Sequence, residues 1–122
     1  MKPPLKIAVA GLGTVGVGAL QLLDRQAELL AQRAGRRIVV AAVSARDRRR
    51  DRGVDLSAVR WYEDAAAMAA DPEIDVVVEL IGGADGIARR VVETAIDHGK
   101  HIVSANKALM AHHGTWLAAR AE

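Results

Sequence analysis

The chain has 122 residues, 51% of them hydrophobic, with a formal charge of +2 and no cysteine. That length makes a single domain able to bury about two-thirds of its unfolded surface, and the missing cysteines exclude a disulfide framework, a thiolate nucleophile and a cysteine-based metal site. So small a net charge does not by itself argue for nucleic-acid or membrane partners, and Trp61, Tyr62 and Trp116 are too few aromatics for a base-stacking platform.

Residues 5–10 read as a buried strand. A first strand so near the N-terminus leaves no room for a signal peptide, and no apolar run approaches the about 20 residues that cross a bilayer, so a cytoplasmic protein is expected. Gly11-Leu12-Gly13-Thr14-Val15-Gly16 follows at once and opens a helix-periodic stretch. A glycine turn between strand and helix is the arrangement that takes a dinucleotide pyrophosphate. The first glycine permits the turn, the second lets backbone approach the phosphates, and the third lets the helix pack closely. The free N–H groups and positive dipole end of the helix beginning near Thr14 favour the anion. Glycine turns before helices are common, and it is the placement directly after a strand that favours the phosphate-binding reading.

Val15, Ala19, Leu22, Leu23, Leu29 and Leu30 lie near helical spacing and predict one long helix closed by Gly35. Residues 38–43 form a second strand, apolar on both faces as in parallel sheets. Arg46 to Asp55 is a charged loop, and residues 59–62 a short third strand. Asp64 is placed to cap an alanine-rich helix that ends before Asp71-Pro72. The stretch 74–81 contains the fourth strand, closed by Gly82-Gly83. Asp85 is placed to cap a helix with Ala88, Val91, Val92, Ala95 and Ile96 on one side and Gly99 at its end. His101-Ile102-Val103 is a fifth strand, and a last helical stretch begins near Asn106.

Strands alternating with helices predict right-handed crossovers and an α/β, Rossmann-type doubly wound parallel sheet of order 3-2-1-4-5. Ligands of such sheets lie beyond the carboxyl ends of the strands. Those ends carry Gly11–Gly16, Ser44–Arg46, Ile81–Gly83 and Ser104–Lys107, so every distinctive segment falls on one edge.

Four positions on that edge carry candidate chemistry. Arg46 is the nearest charged side chain after the second strand, and a guanidinium holds a ribose 2′-phosphate through paired charge-assisted bonds, with Ser44 adding a neutral one. This predicts NADP, although Asp47 could serve as a ribose-binding acid and leaves NAD open. The further arginines of the loop read as solvated surface. Gly82 and Gly83 suit close approach of a nicotinamide, or a plain strand-to-helix turn. Lys107 offers a mobile point charge to a substrate carboxylate, a reacting oxygen or the cofactor. Glu79, inside the apolar run Val76-Val77-Val78-Glu79-Leu80, is too costly to bury unpaired. Its carboxylate is expected to accept backbone amides of a neighbouring turn; the functional alternative is a place in the wall of the cofactor or substrate pocket. His98, His101, His112 and His113 have no spacing suited to a metal, and none is expected.

Three segments together resemble the N-terminal nucleotide-binding domain of homoserine dehydrogenase: Gly11 to Gly16, Val78-Glu79-Leu80-Ile81-Gly82-Gly83, and Gly99-Lys100-His101-Ile102-Val103-Ser104-Ala105-Asn106-Lys107-Ala108-Leu109. The first is shared by many dehydrogenases, whereas the second and third at this separation are far more specific. The resemblance implies interconversion of aspartate 4-semialdehyde and homoserine with NAD or NADP, on the route to threonine and methionine. It implies that Thr14 and Val15 contact the pyrophosphate and nearby ribose, that Arg46 binds the 2′-phosphate, and that Gly82 and Gly83 line the nicotinamide side. Ser104 stands where the family commonly has threonine and keeps the hydroxyl; it joins the cofactor-binding set. Lys107 matches the lysine of the family's Ala-Asn-Lys segment, linked to catalysis. The family continues into a substrate domain that provides acidic substrate-binding residues and a second lysine. Residues 1–122 are therefore expected to form the dinucleotide-binding domain, truncated before the substrate domain and without a complete active site. A small-molecule substrate belongs to the complete enzyme, and a homo-oligomer stays open. The alternatives are a stand-alone dinucleotide-binding or sensing module, and the nucleotide domain of another NAD(P)-dependent oxidoreductase.

Overall fold

The computed structural model describes residues 3–46, 52–81 and 86–104. Among these described residues nine elements follow one another: β1 (Leu5–Ala10), α1 (Thr14–Arg25), α2 (Ala27–Ala34), β2 (Ile38–Ser44), β3 (Arg60–Tyr62), α3 (Ala65–Ala69), β4 (Val76–Glu79), α4 (Ile87–Asp97) and β5 (His101–Ser104). All neighbouring strands are parallel, in the order β3-β2-β1-β4-β5, the order expected from the alternation of apolar strands and helices. Alternate residues of β1 enter different cores. Ala8 and Ala10 join Ala42 and Val77 under α3 and α4, while Ile7 and Val9 join Val43 under α1. The first face is alanine-rich on both sides of the contact, with Ala65, Ala69 and Ala95 opposing the sheet, which lets helix and sheet backbones pack closely.

The long helix read from the spacing is two helices. α1 ends at Gln26, whose N–H donates to the Leu22 carbonyl at 2.9 Å, and α2 starts at the next residue. α2 buries none of its side chains, so Leu29 and Leu30 continue the helical spacing without continuing the core. Gly35 closes α2 in the left-handed conformation, and Gly99 does the same after α4. Asp64 caps α3 as expected, its carboxylate accepting the Ala66 N–H at 2.9 Å. The residue preceding α4 is Gly86; the cap expected at Asp85 lies outside the described residues, as does the stretch from Asn106.

The short β3 is fastened by side chains. The Tyr62 hydroxyl donates to the Asp71 carboxylate, the Arg60 guanidinium lies 4.9 Å from the Tyr62 ring centroid, and its Nη1 is 3.6 Å from Asp71 Oδ2. The hydrogen bond from Tyr62 holds the Asp71 carboxyl below its ordinary range, and the same bond pushes the Tyr62 phenol up. Among the described residues no helix is long and apolar enough to cross a membrane.

Candidate functional site

A cleft of about 490 Å³ opens over the carboxyl ends of β1, β2 and β4. Gly11, Leu12, Gly13, Ser44, Ala45 and Arg46 line one part of it, and Leu80 and Ile81 another. Backbone bonds hold these ends in a row. Gly11 N–H donates to the Ser44 carbonyl, and Leu80 N–H to the Ala10 carbonyl, both at 2.8 Å.

The three glycines of the turn differ in what they do. Gly11 has φ +98°, and a Cβ built there would stand 2.9 Å from the Leu80 carbonyl carbon and oxygen; both the backbone conformation and the close approach of β4 require glycine. Gly16 is buried in the first turn of α1, where a Cβ would lie 2.1 Å from the Gly11 carbonyl oxygen. Its close contact is thus with the turn itself rather than with the strand body. Gly13 has an ordinary φ of −76°, is exposed, and has nothing within 4 Å of a built Cβ. Neither the protein's packing nor its backbone conformation accounts for a glycine there. It lines the cleft, and a side chain would occupy the space just beyond the helix start.

α1 begins at Thr14 without a side-chain cap and without an acidic residue in its first turn. The positive end of its dipole is therefore offered to the cleft. Val15 follows, 64% exposed. Ser44 is buried, and Arg46 is exposed at the end of β2. The structure thus brings Gly11, Gly13, Ser44 and Arg46 to one cleft. Ser104 is not among the residues lining it; its hydroxyl donates to Glu79 Oε1 at 2.7 Å. Gly82, Gly83, Asp47 and Lys107 lie outside the described residues.

Two charged residues lining the cleft do not stand out in the sequence. Arg52 comes back to it from the charged loop, its guanidinium 5.5 Å from the Trp61 ring centroid, and Glu63 follows β3. The local signal beside Arg52 is Gly53, at φ +71°. Glu79 is fully buried, and its carboxylate accepts the Ile81 N–H at 2.6 Å in addition to the Ser104 hydroxyl. The expected bond to a turn amide is present. A larger cleft of about 650 Å³ lies between the C-terminal half of α1, the start of β2 and residues 53–59, away from the glycine turn.

An open parallel sheet with this turn at the start of α1 is a Rossmann-type dinucleotide-binding domain. Residues 11–122 match the family model of the homoserine dehydrogenase NAD-binding domain, and the chain belongs to that family. It is 49% identical over 118 residues to homoserine dehydrogenase of Pseudomonas aeruginosa, covering 97% of this chain and 26% of that protein. The enzyme of Methylobacillus glycogenes is 45% identical over 108 residues, covering 88% and 26%. A solved homoserine dehydrogenase from Thiobacillus denitrificans superposes with a TM-score of 0.88 at 42% identity, over 97% of this chain and 27% of that one. The chain thus spans about a quarter of the length of these relatives.

Proposed function

We propose that residues 1–122 form the cofactor-binding domain of a homoserine dehydrogenase, holding the pyrophosphate of NADP or NAD over the N-terminus of α1. The observation that carries this reading is Gly13, a glycine that the protein's own packing does not require, facing an uncapped helix start. Gly11, Gly16, Thr14 and Val15 complete the phosphate-binding turn. Arg46 takes the ribose 2′-phosphate, with Ser44 beside it. Arg52 on the same cleft adds a second positive charge and Glu63 one negative, so the side chains favour the more anionic NADP while leaving an acid for NAD.

When bound, a nicotinamide cofactor would accept hydride from homoserine in its oxidised form, or give it to aspartate 4-semialdehyde in its reduced form. This chain's part is to bind and orient it, with Gly82 and Gly83 assigned to the nicotinamide side and Ser104 acting through its bond to Glu79. Lys107 is assigned to the substrate side, as a charge at the reacting oxygen or substrate carboxylate. Because the family resemblance places the acidic substrate residues and second lysine in a separate substrate domain, the 122-residue chain should bind cofactor without measurable homoserine oxidation. Adding NADP to the isotopically labelled chain tests the binding reading. Amide shifts concentrated at Gly11–Gly16, Ser44–Arg46 and Ile81 support it; shifts confined to the cleft between α1 and residues 53–59 overturn it.

A further inference from the structure

We infer that Glu79 is a positioning residue for the cofactor cleft, holding the Leu80–Ile81 peptide against Gly11 and thereby fixing the turn that starts α1. Glu79 is 0% exposed at the end of an otherwise apolar strand. It does not line the cleft, whereas Leu80 and Ile81, the next two residues, do. A leucine of similar size would bury at that site without the desolvation cost of a carboxylate. What leucine cannot do is accept hydrogen bonds. Oε2 takes the Ile81 N–H at 2.6 Å and so turns the chain as β4 ends, while Oε1 takes the Ser104 hydroxyl at 2.7 Å and ties that turn to β5.

The peptide so fixed is the one that presses on the glycine turn. The Leu80 carbonyl and Ile81 nitrogen lie 2.9–3.0 Å from the position a Gly11 Cβ would take. Gly11 in turn meets Gly16 in the first turn of α1, through its carbonyl oxygen. Along the carboxyl edge the ties run from Ser44 to Gly11, from Ala10 to Leu80, and from Ile81 through Glu79 to Ser104. The last of these is made by a side chain, across β4 and β5. Freed of it, Ile81 could swing away from Gly11, and the helix N-terminus would lose its wall on that side. Small misplacements of groups that orient a ligand weaken function strongly.

The inference rests on the proposed cofactor reading for one of its two measurements only. Hydrogen exchange of the cofactor-free chain is compared among wild type, Glu79→Leu, Glu79→Gln and Ser104→Ala. Glutamine keeps both contacts, since its carbonyl oxygen accepts from Ile81 and its amide donates to the Ser104 oxygen. Exchange at Gly11 and Ile81 should rise about tenfold or more in Glu79→Leu and by a smaller factor in Ser104→Ala. It should stay at the wild-type level in Glu79→Gln, with the Val9 amide unchanged throughout. The NADP dissociation constant should rise about tenfold in Glu79→Leu, at a temperature where circular dichroism shows a folded chain, and recover in Glu79→Gln. If Glu79→Leu does not fold, Ser104→Ala decides. Unchanged exchange at Gly11 and Ile81 in Ser104→Ala, or acceleration spread evenly to Val9, overturns the inference. A wild-type chain that binds neither NADP nor NAD overturns the cofactor reading instead, and exchange still decides the part played by Glu79.

Discussion

Gly16 lies directly against Gly11: a Cβ on Gly16 would stand 2.1 Å from the Gly11 carbonyl oxygen. No side-chain rotation relieves that overlap, because both partners are backbone-anchored. Gly16→Ala must therefore displace the turn or the first turn of α1, and should cost about 2 kcal/mol, as overpacking does. Gly13→Ala meets open space and should cost under about 1 kcal/mol, the difference between glycine and alanine at a helix start. Urea unfolding of the two variants checks the contrast; equal losses would mean that the two glycines do the same work.

Arg46 is the exposed cation at the end of β2, beside the buried Ser44. Arg46→Ala should weaken NADP binding by about 1.5–3 kcal/mol, the range for hydrogen bonds to charged groups, and leave NAD nearly unchanged. Titration calorimetry with both cofactors decides it. Equal losses for the two would show that Arg46 does not read the 2′-phosphate.

The Tyr62–Asp71 bond gives the β3 edge a defined pH window. Asp71 is held below its ordinary value of 3.8, so its contribution is complete above that value and is lost as pH falls through the lower folded one. Tyr62 is pushed above 10.0, so its contribution is complete below that value and is lost as pH rises through the raised one. Tyr62→Phe should therefore cost about 1 kcal/mol near neutral pH, and the gap to wild type should narrow below about pH 4 and above about pH 10. Urea midpoints across that range provide the check; a gap independent of pH would rule out the carboxylate–phenol bond as its source.

Much of the sheet was legible because β1, β2 and β4 are short, largely apolar runs bounded by glycine or charge, and the right-handed crossover rule leaves few orders for five strands. Gly11 and Asp64 were legible from local backbone needs alone, whereas Gly16, expected to pack against the strand, meets the Gly11 carbonyl instead. The break at Gln26 was not, since neither glycine nor proline marks it and the helical spacing runs on through Leu29 and Leu30. Arg52 reads as one more solvated arginine in the sequence, and only the tertiary structure sets it beside Trp61. A partner for Glu79 was expected, but a backbone amide nearby is a local feature, whereas Ser104 is 25 residues away. The two meet because the register of β4 on β5 pairs them, and register is a tertiary property.

If the glycine turn at the start of α1 holds a dinucleotide pyrophosphate, Gly13→Val should remove cofactor binding without unfolding the domain. Gly13 has β-region backbone angles and open space at its Cβ, so valine should leave the fold intact while filling the approach to the helix N-terminus. Calorimetric titration of NADP and NAD into the folded variant, beside wild type, is the measurement. Wild type should bind either cofactor saturably and Gly13→Val neither; undiminished binding by the variant would mean that the glycine turn does not hold the pyrophosphate.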